Sequence, residues 1–138
     1  DDSGSSIVIT DYKTGGVPSD SNVLSGRAPQ LPLEAAIALG ESGFPDLAGR
    51  TVSELRYIRA SGGEPPGEQR SVKTRDTTVA DLAAGSLAGL QRLIAAFDDV
   101  ETPYRAIRRP GYRYDYDDYA HLARVAEWSA HVTDEGTP

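Results

Sequence analysis

The chain has 138 residues, a net charge of −7 and a pI near 4.7, which is the size of one ordinary domain. It contains no cysteine, so disulfides, a thiol nucleophile and cysteine-ligated zinc or iron–sulfur centres are excluded within this stretch. The acidic balance argues against coating nucleic acid by bulk charge, and the mean hydropathy of −0.43 with a polar start predicts a cytoplasmic protein without a membrane span or secretory signal.

Hydrophobic periodicity and turn-forming residues divide the chain into strands and helices. In chain order, the pattern predicts a strand at residues 7–14, a loop at 17–29, a helix at 31–39, a loop at 41–50, a strand at 52–58, a turn at 61–69, a short strand at 70–74, a helix at 79–97, an irregular stretch at 98–117 and a last helix from Asp117 or Asp118. Leu55 and Tyr57 share one strand face, and the apolar stripe that ends at Phe97 is expected to lie in the core. Residues 1–138 are therefore expected to form a single, partial α/β domain with a frayed tail at 131–138.

Asp11 and Lys13 carry the most informative chemistry in the sequence. Alternate residues of a strand share a face, so this carboxylate and this ammonium are expected to stand side by side. A carboxylate is a hard oxygen ligand for Mg²⁺ or Mn²⁺, and a neighbouring ammonium can orient an attacking water and offset the charge that develops on a phosphate. The pair is therefore typical of metal-dependent phosphodiester cleavage, with an ordinary edge-strand ion pair as the alternative.

Four segments resemble RecB-like nucleases of the PD-(D/E)XK superfamily, and AddB-type C-terminal nuclease domains in particular. They are DYKTG at residues 11–15, APQLPLEAA at 28–36, LRYIRASGG at 55–63 and YAHLARVAEWS at 119–129. The resemblance implies a restriction-endonuclease-like core, a mixed sheet flanked by helices. It also implies a segment of a metal-dependent DNA exonuclease or helicase–nuclease subunit that acts in double-strand break repair and recombination, beside an AddA-type helicase–nuclease partner.

Carried over to this sequence, the resemblance makes Asp11 a metal ligand, Lys13 an electrostatic catalyst and Gln30 a positioning residue. The implied cofactor is Mg²⁺ or Mn²⁺, whereas the iron–sulfur cluster of some relatives is not expected without cysteines. The family often has Tyr where this chain has Glu34, one helical turn after Gln30. Glu34 either extends the acidic site or is a solvated helix residue, and its surface character favours the solvated role.

The resemblance also places the family's first metal-site aspartate on the strand that precedes Asp11, upstream of residue 1. Because the sequence has no methionine, it is expected to be a piece of a longer protein. This piece is expected to lack the N-terminal part of the core with its metal-site acid, and therefore to be inactive alone. The alternative function is a non-catalytic nuclease-like module that binds DNA or a helicase partner, with a residual pair at Asp11 and Lys13.

The only cluster of basic residues in the sequence, at residues 105–113, is interspersed with tyrosines. The candidate DNA contacts in it are Arg105, Arg108, Arg109, Arg113 and Tyr112. Cations on phosphates and aromatic rings on bases are typical of single-stranded DNA binding. The alternative is that the arginines pair with Asp115, Asp117 and Asp118 while the tyrosines are half-buried packing residues.

Overall fold

The computed structural model describes residues 6–40, 43–47, 49–104 and 122. In chain order, the described elements are β1 (Ser6–Lys13), α1 (Asp20–Leu24), α2 (Gln30–Leu39), a 3₁₀ turn (Pro45–Leu47), β2 (Thr51–Ala60), β3 (Gly67–Ser71) and α3 (Val79–Asp98). The Cα positions group the chain into two units, Asp1–Phe97 and Asp98–Pro138. The predicted last helix and frayed tail lie outside the described residues, except for Leu122, which is helical.

The three strands form one mixed sheet in the order β1–β2–β3. β1 and β2 run parallel, joined by a connection that contains α1 and α2, whereas β2 and β3 run antiparallel. A parallel pair needs such a long crossover, because a tight turn joins only antiparallel strands. The predicted α/β class, a mixed sheet flanked by helices, is confirmed at this level.

A register shift in β2 explains why two residues three positions apart both face the core. Ile7 pairs with Val52 and Val8 pairs with Glu54, so Ser53 has no partner on β1. Strict alternation would put Val52 and Leu55 on opposite faces, but the extra residue between them allows both to be buried. The Ser53 hydroxyl donates to the Ile7 carbonyl oxygen at 3.2 Å, which ties the bulge to β1.

The hydrophobic core lies mainly between the sheet and α2. Its buried side chains are Val23, Leu31, Ala35, Ala38, Val52, Leu55, Tyr57, Val72 and Ala83. Leu55 and Tyr57 are each 1% exposed, which confirms the face that the sequence predicts for them. On α2, the buried residues recur at Leu31, Ala35 and Ala38, the spacing of one helix face.

Two elements differ from the sequence prediction. α1 interrupts the expected loop at 17–29, because the Ser19 hydroxyl caps its first turn by accepting from the Asn22 amide at 3.3 Å and Val23 is completely buried. β3 begins at Gly67 rather than residue 70, since its backbone pairs with β2 from Gly67 opposite Ala60 onward. Pairing with a neighbouring strand overrides the weak strand propensity of the sequence GEQRS.

The boundaries of α3 match the predicted helix, and a threonine caps its start. The Thr78 hydroxyl accepts from the Asp81 amide at 3.0 Å and also donates to the Asp81 carboxylate at 2.7 Å. A threonine in this position satisfies an amide that has no partner inside the helix, which favours initiation there.

The expectation that the apolar stripe of α3 lies in the core is wrong beyond its first turns. Val79, Leu82 and Ala83 pack on the core, but Leu87, Leu90, Ile94 and Phe97 are between 38% and 51% exposed. Only the first turns of α3 reach the core cluster, so the described elements leave the rest of the stripe uncovered.

α3 is also the one helix among the described residues that is long and apolar enough to cross a membrane, with a mean hydropathy of 1.2 over 18 residues. Length and composition of this kind also occur in the core helices of soluble proteins.

A charged cluster stabilises the sheet face opposite to α2. Arg56 donates to both carboxylate oxygens of Glu54, at 2.9 and 2.7 Å, and the Ser71 hydroxyl donates to the same carboxylate from β3. The hydrogen bonds from Arg56, and then the one from Ser71, lower the pKa of Glu54 from 4.5 to about 2. The cluster therefore links β2 to β3 at neutral pH.

Because α2 is buried against the sheet, truncation of a leucine on α2 is expected to destabilise the protein much more than truncation of an exposed leucine on α3. Leu31→Ala is expected to lower the free energy of unfolding by about 2–5 kcal/mol, since it opens a cavity in the core. Leu93→Ala, on the exposed part of α3, is the matched control and is expected to change it by less than about 0.5 kcal/mol. Urea denaturation followed by circular dichroism measures both, and equal losses would contradict the described position of α3.

The lowered pKa of Glu54 predicts a pH-dependent contribution to stability. Its stabilisation is fully present above pH 4.5 and is lost as the pH falls toward about 2, because protonation then breaks the bonds with Arg56. The stability difference between the wild type and Glu54→Gln is therefore expected to be largest above pH 4.5 and to shrink below it. Denaturation at a series of pH values measures this, with Glu64→Gln in the exposed turn after β2 as the control. A difference that is constant with pH would rule out the charged cluster.

Candidate functional site

Asp11 and Lys13 lie on the α2 side of β1, at the end of the strand. Asp11 is in register with the buried Tyr57 of β2, and Lys13 is in register with Arg59. The Lys13 ammonium lies 2.9 Å from Asp11 Oδ2, with side chains that are 30% and 13% exposed respectively. Strand alternation thus places the acid and the lysine side by side, as their spacing predicts.

Gln30 joins both residues through its carboxamide. Its Oε1 accepts from the Lys13 ammonium at 2.9 Å, and its Nε2 donates to Asp11 Oδ1 at 3.1 Å. A carboxamide carries an acceptor and a donor on one planar group, so it can satisfy a cation and an anion together. Gln30 is the first residue of α2, where the buried Leu31 next to it holds the helix against the sheet.

Glu34 belongs to the same group of side chains. Gln30 Nε2 also donates to Glu34 Oε1 at 3.0 Å, along the i to i+4 direction of α2. Glu34 is half-buried and accepts this bond beside Asp11, so it is placed within reach of the predicted acidic site. Asp11, Lys13, Gln30 and Glu34 are called the carboxamide cluster below.

The two oxygens of the Asp11 carboxylate differ in their hydrogen bonding. Asp11 Oδ1 has the hydrogen bond from Gln30, but Asp11 Oδ2 is buried and accepts no hydrogen bond from the described residues. Lys13 is within ion-pair distance of this oxygen, although the ammonium does not approach it in hydrogen-bonding geometry. Asp11 Oδ2 is therefore neutralised by an ion pair but keeps its capacity to accept a hydrogen bond or bind a cation.

Comparison with known proteins leaves the family unassigned. No protein-family model matches the chain, and neither a curated protein nor a solved structure matches it. The chemistry of the site therefore has to be argued from the carboxamide cluster and its surroundings.

Tyr57 lies opposite Asp11 on the neighbouring strand, and the charges of the carboxamide cluster affect its pKa. Burial raises the pKa of the Tyr57 phenol, and the negative charges of Asp11 and Glu34 raise it further, while Arg70 acts in the opposite direction. One phenol thus lies within electrostatic reach of both carboxylates and of an arginine from β3. The sequence pattern placed Tyr57 only on the same strand face as Leu55, because its position next to Asp11 depends on the pairing of β1 with β2.

The oxygen donors of the carboxamide cluster suit a hard divalent cation. Mg²⁺ is usually held by one or two carboxylates and completed by waters and substrate oxygens. Asp11 and Glu34 supply two carboxylates that converge on the same amide nitrogen, and Asp11 Oδ2 is the oxygen without a hydrogen bond. Within the described residues, no group of three His, Cys, Asp or Glu side chains is close enough to hold a metal ion by itself.

The remaining predicted site residues belong to the segment that follows Tyr104. Arg105, Arg108, Arg109, Arg113 and Tyr112 lie outside the described residues, as do the aspartates proposed to pair with those arginines. Their assignment as DNA contacts stays a prediction.

The three hydrogen bonds of Gln30 predict a measurable contribution to stability. Gln30→Ala is expected to lower the free energy of unfolding by about 1–2 kcal/mol, because it removes partners of both carboxylates and of Lys13 and brings no replacement donor. Gln91→Ala, on the exposed side of α3, is the matched control and is expected to be nearly neutral. Urea denaturation at pH 7 compares the two, and an equally neutral Gln30→Ala would mean that the carboxamide bridge is not maintained in solution.

Proposed function

We propose that this chain carries the acid, lysine and glutamine of a metal-dependent DNA nuclease site of the PD-(D/E)XK superfamily, RecB-like branch and AddB type. The observation that supports it most is the carboxamide of Gln30, bonded at once to Asp11 and to Lys13. These are the three residues that the resemblance singles out, and they come from a strand and from the helix that follows it. The proposed reaction is hydrolysis of a DNA phosphodiester during double-strand break repair and recombination in the cytoplasm, beside an AddA-type partner.

In the proposed site, Asp11 and Glu34 hold Mg²⁺ or Mn²⁺, with Asp11 as the predicted ligand and Glu34 as an added carboxylate. Their fit to a hard cation is supported by Asp11 Oδ2, which accepts no hydrogen bond from the described residues, and by the shared orientation of both carboxylates toward Gln30. When bound, the metal ion supplies Lewis-acid polarisation of the phosphate and a more acidic attacking water.

Lys13 and Gln30 contribute the rest of the chemistry from this chain. In hydrolysis, a water oxygen attacks phosphorus and gives up one proton to solvent, the bond from phosphorus to the leaving sugar oxygen breaks, and the leaving oxygen gains a proton from solvent. The Lys13 ammonium offsets the negative charge that grows on the phosphate oxygens and orients the water. Gln30 limits the rotation of that ammonium through the bond at 2.9 Å, so the charge is already in place when the phosphate arrives.

The alternative is a non-catalytic module in which the same fold binds DNA or a helicase subunit. It is favoured by one observation: the described residues supply two clustered carboxylates rather than a complete three-ligand metal site. The two functions differ in what Lys13 does, since a group that acts in the transition state affects turnover more than DNA affinity.

Substitution of Lys13 in the full-length protein tests the proposal. Lys13→Ala is expected to reduce the Mg²⁺-dependent cleavage rate of linear DNA by at least about 100-fold, with DNA affinity changed less than about threefold. The chain has only one other lysine, the exposed Lys73, so Lys73→Ala removes the same charge elsewhere and is expected to cleave normally. Unchanged cleavage by Lys13→Ala would contradict the proposed role, and a wild type that binds DNA in Mg²⁺ without cutting it would favour the binding module.

A further inference from the structure

A small cavity opens at the same end of the sheet as the carboxamide cluster. It has a volume of about 170 Å³ and is lined by Val17, Arg59, Glu68 and Arg70. Arg59 is the register partner of Lys13 on β1 and of Glu68 on β3, and Arg70 is the register partner of Tyr57. Since register partners share a face and neighbouring strands are about 4.8 Å apart, this cavity lies directly beside the proposed nuclease site.

The two arginines of the cavity differ in how firmly they are held. Arg70 Nη2 donates to the Pro18 carbonyl oxygen at 2.8 Å and to Asp20 Oδ1 at 3.0 Å, so one terminal nitrogen anchors the guanidinium to the loop before α1. No described residue accepts a hydrogen bond from its other terminal nitrogen. Arg70 is therefore an oriented donor whose remaining N–H groups are available to a ligand.

Arg59 is exposed, and its guanidinium makes no hydrogen bond or ion pair with the side chains of the described residues, even though Glu68 stands opposite to it on β3. Arg59 and Arg70 together give the lining of the cavity two cationic groups against one acid, Glu68. Guanidinium groups bind phosphate oxygens with two parallel N–H bonds, and a cavity of this size accepts one such group.

We propose that this cavity binds a backbone phosphate of the nucleic acid strand whose neighbouring phosphodiester lies at the carboxamide cluster. This inference rests on the proposed nuclease function, and it adds a second contact that fixes the strand relative to Lys13. Arg59 closes on the phosphate and Arg70 supplies the fixed donor. Glu68 opposes the same anion and prevents very tight retention of the strand.

Binding of a single-stranded oligonucleotide in EDTA tests this cavity separately from cleavage. By fluorescence anisotropy, Arg59→Ala is expected to raise the Kd about tenfold and to lower the log–log slope of affinity against salt by about one, since one phosphate contact is lost. Arg59→Lys keeps the positive charge but loses the two parallel N–H donors of the guanidinium. It is therefore expected to weaken binding without changing the salt dependence of the affinity. Glu68→Gln is expected to tighten binding about two- to threefold.

Arg92→Ala on α3 is the matched control, because it removes one exposed arginine away from the cavity. Equal effects of Arg59→Ala and Arg92→Ala would overturn the inference, since bulk charge would then explain both. An oligonucleotide with neutral methylphosphonate linkages is expected to bind the wild type and Arg59→Ala equally, and a persisting difference would show that the cavity contacts bases instead. Circular dichroism checks that each variant is folded.

Titration with inorganic phosphate distinguishes a free anion from a backbone phosphate. If Arg59→Ala abolishes phosphate binding but leaves oligonucleotide binding unchanged, the cavity serves a free phosphate and the inference is wrong. Its failure is separable from that of the proposed function: loss of cleavage in Lys13→Ala with normal oligonucleotide binding by Arg59→Ala overturns the cavity alone. Intact cleavage in Lys13→Ala with weak binding by Arg59→Ala overturns the nuclease mechanism alone.

Discussion

The position of the carboxamide cluster depends on the packing of α2 against the parallel pair β1–β2. The buried face of α2 consists of Leu31, Ala35 and Ala38. Residues three and four positions apart share one face of a helix, so burial of this face determines the direction of the neighbouring face as well. Gln30 and Glu34 occupy that neighbouring face, above Asp11 and Lys13. A change that shifts α2 by one residue along the sheet would separate the carboxamide from both of its strand partners.

Charges of opposite sign are arranged in sequence across the end of the sheet. The carboxylates of Asp11 and Glu34 lie under α2, Lys13 follows at the end of β1, and Arg59 and Arg70 continue across β2 and β3. Such an order suits a metal ion next to a phosphate and a second phosphate farther along. The same order explains why Tyr57 experiences two carboxylates that raise its pKa and one arginine that lowers it.

Local patterns were sufficient for the elements whose signals are short-range. β1, β2, α2 and α3 occur close to where periodicity and capping residues predict them, and Asp11 and Lys13 share a face because of strand alternation alone. α1 and β3 were not predicted accurately, because each depends on a partner distant in sequence. Val23 is buried by tertiary packing, and Gly67 enters β3 because Ala60 lies opposite to it.

The amino-acid sequence by itself indicated the α/β class, the long helix, and the candidate site residues Asp11, Lys13 and Gln30. The tertiary structure alone decided that Glu34 joins them, that Tyr57 lies beneath them, and that Arg59 and Arg70 line a cavity beside them. It also showed that the apolar stripe of α3 is exposed beyond its first turns, although the pattern is that of a core helix. The physical reason is that periodicity reports which residues share a face, whereas strand register and the extent of the opposing surface decide what that face meets.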